Sequence, residues 1–103
     1  MSAEGIARKV RESHEVSARF FADNADALDA CARDLGERFR GGGRLFVMGN
    51  GGSACDAAHV AVEFLHPILE RRRSLPAIAL TADVAAITAI GNDDDFASVF
   101  ERQ

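Results

Sequence analysis

The sequence lacks what would send a chain through or onto a membrane. No run approaches the ~18 apolar residues of a membrane-spanning helix, and the opening MSAEGIARKV mixes charges early where an export signal carries an apolar core. Cysteine is scarce: Cys31 and Cys55 are the only two, and Cys31 falls at a helical apolar position, which argues against a disulfide framework and fits a reducing, cytoplasmic setting. Positive charge is scarce too. A net charge of -4 offers no broad attraction to nucleic acid or to an anionic membrane surface. The one basic cluster, Arg71-Arg72-Arg73, reads as a solvated loop after a helix. There is no internal repeat, low-complexity segment or linker.

What is present is ordinary for a folded chain: 103 residues bound it to one domain, with 48% hydrophobic and 27% charged residues. Ile6, Val10, Val16 and Phe20 recur at helical spacing and predict a first helix from Ala3 to about Phe21. Asp23 or Asn24 is then read as the cap of a second helix, whose stripe is Leu28, Cys31, Leu35 and Phe39 and which Gly41-Gly42-Gly43 ends. RLFVM (Arg44–Met48) and PAIAL (Pro76–Leu80) read as strands buried on both faces. Ser53–Leu65 between them reads as a helix stopped by Pro67, with His66 interacting with the helix dipole. Asp83 caps a further helix to about Ile90, Gly91-Asn92-Asp93 forms a turn, and Phe96–Arg102 begins another helix. The domain organisation that follows is a single unit over 1–103, with a helical hairpin over 1–40 and a βαβα core over 44–103. The fold class is α/β: the hairpin, then the first βαβ units of a three-layer αβα parallel sheet of flavodoxin or Rossmann type, incomplete because two strands do not make a stable doubly wound sheet.

The junction GNGGSACDAAHVAVEFLHP (Gly49–Pro67) carries the chemistry. A glycine-rich turn leaving a buried strand lets backbone N–H groups approach an anion, the next helix aims its positive end at the same place, and Ser53 adds a hydroxyl. The alternative is a tight turn with Ser53 as an ordinary N-cap. Gly49, Gly51 and Ala54 satisfy the letters of a dinucleotide fingerprint, yet Asp83 comes too late to be its acidic partner. No lysine follows the glycines, since Lys9 is the only one, so a monophosphate fits better than a nucleotide and no nucleotide cofactor is expected. Asp56, His59 and Glu63 share one helix face. The i, i+4 pair His59 and Glu63 can chelate a metal, can make a carboxylate base with a histidine orienting it, or can be a surface hydrogen bond.

GNGGSACDAAHVAVEFLHP, LPAIAL and AIGNDDDFASVF together resemble the sugar isomerase (SIS) domain, and within it the sedoheptulose 7-phosphate isomerase (phosphoheptose isomerase) group, over nearly the whole chain. The resemblance implies a homotetramer of carbohydrate metabolism that converts a seven-carbon ketose phosphate to an aldose phosphate through an enediol, with zinc in some members. It implies that Asn50, Gly51, Gly52 and Ser53 hold the phosphate end and hydroxyls of the substrate and that Asn92 and Asp93 contact the sugar. It implies Glu63 as the base, its basicity raised in a partly apolar pocket, and His59 with Glu63 as metal ligands. The chain departs from the family at Val62, where many members are acidic, and in the segment FLHPILERRR. The family's second serine-rich phosphate loop and its later Gln and His fall beyond Gln103.

Three functions compete. One is a sugar-phosphate isomerase, or its N-terminal half, working as a homo-oligomer without nucleic-acid or membrane partners. Another is a non-catalytic SIS module that binds a sugar phosphate or a protein, as a replication-initiator-associating protein does. The third is a truncation with no function of its own. Glu63 favours the first, because a pure binding module has no need of a carboxylate one turn from His59.

Overall fold

A computed structural model describes residues 2–103. Its elements run helix, strand, helix, strand, helix and a final 3-10 turn. The first helix, α1 (Ala3–Arg40), is continuous over 38 residues, about 57 Å at 1.5 Å per residue. It replaces the two helices expected on either side of Asp23-Asn24, and with them the hairpin over 1–40. The reason is local. No glycine or proline interrupts the chain between Ile6 and Leu35, and the Asn24 side-chain amide donates back to the Phe20 carbonyl at 2.8 Å, a bond made inside a continuing helix rather than at a cap. Ion pairs one turn apart, Arg8 to Glu12 at 2.7 Å and Arg33 to Asp29, lie along its surface and add a few tenths of a kcal/mol each, roughly.

The chain divides into two compact units, one ending at Glu37 and the other Arg38–Gln103. In the first, Ile6, Val10, Val16, Phe20, Phe21 and Leu28 are all exposed on α1, and Phe20 and Phe21 meet edge to face with ring centroids 5.4 Å apart.

The second unit begins where α1 ends as its glycines predict. Gly42 N–H donates to the Phe39 carbonyl at 3.2 Å and Gly43 N–H to the Arg38 carbonyl at 2.8 Å, the paired bonds of a Schellman stop. Strands β1 (Leu45–Val47) and β2 (Ala77–Ala79) then pair in parallel, with Leu45 opposite Ala77, Phe46 opposite Ile78 and Val47 opposite Ala79. Their crossover is α2 (Gly52–Leu65), which packs on both strands. Small residues allow the close approach: Ala57 and Ala61 of α2 and Ala77 of β2 are buried, and Phe39 and Val99 complete the core. The Phe39 ring lies 5.5 Å, centroid to centroid, from that of Phe64.

Two expectations change here. Both strands were expected to be covered on each face, but strand side chains alternate, and the cross-strand neighbours Phe46 and Ile78 stay 50% and 45% exposed on the face away from Ala77. Among the described residues only one layer of helix covers this sheet. The last helix, α3 (Val84–Asp93), starts as predicted, with Asp83 Oδ1 accepting from Ala86 N–H at 2.9 Å, but runs through the expected turn at Gly91-Asn92-Asp93. The following segment packs back on α3, and a Cβ on Gly91 would meet the Phe96 ring at 3.5 Å, an ordinary contact. That segment is one 3-10 turn, Phe96–Ser98, capped by Asp95, in place of the helix expected to Arg102. No helix among the described residues is long and apolar enough to cross a membrane.

Candidate functional site

The β1-to-α2 loop is built by two glycines with different jobs. At Gly49 a Cβ would lie 2.6 Å from both Cβ and the carbonyl oxygen of Ser53, so the strand can leave this close to the first helical turn only without a side chain. Gly51 has φ 57 and ψ -124, a backbone region closed to side-chain-bearing residues, and it caps α2. Ser53 is the second helical residue rather than the N-cap, and α2 has no side-chain cap. Ser53 N–H is held by the Asn50 carbonyl and Ala54 N–H by the Gly51 carbonyl, each at 3.0 Å. The N–H groups of Gly51 and Gly52 are the ones left to meet an anion at the positive end of α2. Asn50, Gly51, Gly52 and Ser53 are all exposed, and α2 has no acidic residue in its first turn.

Further along α2, His59 Nε2 lies 3.1 Å from Glu63 Oε1. A carboxylate only accepts, so in this contact Nε2 carries the proton. His59 and Glu63 line an open depression of about 440 Å³ with Asp56, Val60 and Phe64. Their side chains are 73% and 57% exposed, so the depression, apolar in part through Val60 and Phe64, stands open around Glu63. Counting 1.5 Å per helical residue, His59 and Glu63 stand about 9 and 15 Å along the axis from Ser53. Imidazole and carboxylate are donor types that zinc takes. No group of three or more His, Cys, Asp or Glu that could hold a metal occurs among the described residues, so further ligands would have to come from elsewhere.

The sequence of this chain matches the SIS domain over residues 8–103. The chain belongs to the SIS domain family. Phosphoheptose isomerase of Solidesulfovibrio magneticus is 48% identical over 98 residues, which cover 95% of this chain and 48% of that protein. The Aquifex aeolicus phosphoheptose isomerase is 41% identical over 100 residues, covering 97% and 52%. The solved phosphoheptose isomerase of Neisseria gonorrhoeae superposes with a TM-score of 0.87 at 34% identity, covering 97% of this chain and 51% of that one. The α/β fold expected of an SIS domain is thereby shown, and the chain spans about half the length of the relatives it matches.

Within this SIS chain the remaining residues implied by the resemblance stand on another helix. Asn92 and Asp93 close the last turn of α3, exposed, with Asn92 Nδ2 donating to Asp93 Oδ1 at 2.8 Å. Asp93 lines a different depression, with Ala89, Ile90, Asp94 and Arg102, whose guanidinium donates to Asp94 at 2.7 Å. The segment after α2 holds residues that sequence reasoning missed. Arg72, taken for part of a solvated loop, donates to the carbonyls of Glu63 and Phe64 at 2.8 and 3.0 Å, and the Ser74 hydroxyl donates to that of Leu65 at 2.7 Å. A signal for this was present: α2 stops at His66-Pro67 with no glycine to close its last turn, which leaves its carbonyls to be met from further along.

Proposed function

We propose that the protein is a sugar-phosphate isomerase of the phosphoheptose isomerase type, acting on sedoheptulose 7-phosphate or a related ketose phosphate, with residues 1–103 as part of one SIS-type domain. The observation that carries this is the Glu63 carboxylate, one turn from His59 at 3.1 Å and exposed toward open space, on the helix whose first turn is the glycine cradle. The named relatives support the same chemistry.

In this function Asn50, Gly51, Gly52 and Ser53 hold the phosphate end and hydroxyls of the substrate, and Asn92 and Asp93 contact the sugar. Glu63 takes a proton from C1 of the ketose, beside the C2 carbonyl. The electrons of that C–H bond form the C1–C2 double bond of an enediol as the C2 oxygen gains a proton. Return of the proton from Glu63 to C2, with loss of the proton on the C1 oxygen, leaves the aldose. His59 orients the carboxylate. Where zinc is bound, His59 and Glu63 would be two of its ligands, and the ion would polarise the sugar oxygens. Groups outside this chain enclose the site, which a homo-oligomer, a dimer or tetramer in the cytoplasm, would provide.

Glu63→Gln in the full-length protein tests this: kcat falls on the order of a hundredfold or more while sugar-phosphate binding persists. Equal loss of turnover and binding would assign Glu63 a structural role, and retained turnover would leave a non-catalytic SIS module.

A further inference from the structure

The last turn of α2 is held by side chains rather than by a helix stop of its own. His66, with φ -130, ends the helix, its N–H bonded to the Val62 carbonyl at 2.8 Å. The three carbonyls that follow would be left for water. Instead the Arg72 fork reaches two at once, Nη2 to Glu63 O at 2.8 Å and Nη1 to Phe64 O at 3.0 Å, with Nη1 also donating to its neighbour Arg73 O at 3.0 Å. Leu75 N–H adds a second bond to Phe64 O at 3.0 Å, and Ser74 Oγ takes Leu65 O at 2.7 Å. The segment so anchored runs straight into β2.

One of the clamped carbonyls belongs to Glu63 itself. We infer that Arg72 is a positioning residue for the Glu63 carboxylate: its guanidinium grips the backbone of Glu63 and Phe64 and thereby sets where the carboxylate stands relative to His59. This rests on the reading of Glu63 as the base. Three physical points support it. A cation at the negative end of a helix is favoured, so charge and hydrogen bonding act together. A planar fork can bridge two adjacent carbonyls in fixed geometry, which a lysine ammonium cannot. A base in the last turn of a helix, two residues from the end of α2, needs its backbone held, since a displacement of about 1 Å of a reacting group can cost as much as a hundredfold in rate. The phosphate cradle lies at the other end of α2 and does not share the clamp, so turnover and binding should separate.

The experiment compares Arg72→Gln, Arg72→Lys and the neighbouring Arg71→Gln in the full-length protein, by steady-state kinetics on sedoheptulose 7-phosphate and by amide hydrogen exchange. Arg72→Gln is expected to lower kcat about tenfold with KM unchanged, and to speed exchange in the last turn of α2, at Glu63, Phe64 and Leu65, but not in its first turn. Arg72→Lys, which keeps the charge without the fork, recovers only part of kcat, and Arg71→Gln behaves as wild type. Unchanged kcat in folded Arg72→Gln, or an equal loss in Arg71→Gln, overturns the assignment. Should Arg72→Gln fail to fold, Arg72→Lys decides it: wild-type kcat would overturn the positioning role. Glu63→Gln, measured alongside, keeps the two readings distinct: if it stays active the base assignment fails, whereas the exchange rates report the clamp regardless.

Discussion

Two adjacent glycines in the β1-to-α2 loop should respond to the same substitution with opposite sign. A Cβ built on either Gly51 or Gly52 meets nothing within 4 Å, so steric crowding cannot distinguish them. Backbone conformation can. Gly51 sits at φ 57, ψ -124, whereas Gly52 is already the first residue of α2. Forcing an L-residue into the region held by Gly51 costs about 1–3 kcal/mol. Placing alanine at Gly52, in a conformation alanine prefers, should gain about 0.4–1 kcal/mol by restricting the unfolded chain. At roughly 4–8 °C per kcal/mol for a domain of this size, Gly51→Ala should lower Tm on the order of 10 °C and Gly52→Ala raise it by a few degrees. Thermal unfolding followed by far-UV circular dichroism reads both. Equal shifts in the two variants, or a Gly51→Ala protein at least as stable as wild type, would refute the claim that positive φ is what this loop requires. Gly49→Ala extends the series by a different route: its Cβ would lie 2.6 Å from the Ser53 carbonyl oxygen, so backbone must move, which costs typically 1–3 kcal/mol.

Two further outcomes follow from the exposed surfaces. Titrating inorganic phosphate or a ketose phosphate should shift the backbone amides of Gly51 and Gly52 more than those of Ser53 and Ala54, which are already bonded within the loop; unchanged shifts at millimolar ligand would remove the anion site. The apolar residues Ile6, Val10, Val16, Phe20, Phe21 and Leu28 left exposed on α1 are worth several kcal/mol on burial at about 25 cal/mol per Å². Sedimentation at micromolar concentration should therefore show an oligomer that Phe20→Asp weakens, and a strictly monomeric, folded wild type would contradict it.

What the sequence determined by itself is whatever depends on neighbours along the chain. An apolar run between glycines marked β1, the apolar run that Pro76 opens marked β2, alanine-rich periodicity marked α2, and the three-glycine stop of α1 was legible because its bonds join residues close along the chain. The spacing of His59 and Glu63 was enough to place them on one face, since four residues always make about one helical turn. The glycines between β1 and α2 were legible as a loop, though which of them bears the positive φ was not.

The tertiary structure decided the rest, wherever two local solutions are nearly equal in energy or where partners lie far apart in sequence. Asn24 can cap a helix or bond back to its preceding turn, and only the folded chain shows it bonded to Phe20, with α1 unbroken. Gly91 weakens a helix by about 1 kcal/mol, yet α3 continues through it to Asp93. Arg72 reads in sequence as one of three solvated arginines, because nothing nearby reveals that its partners are carbonyls eight and nine residues earlier. The exposure of Phe46 and Ile78 follows from which face α2 covers, and a strand's own letters cannot say that, since both of its faces are apolar and only packing chooses between them.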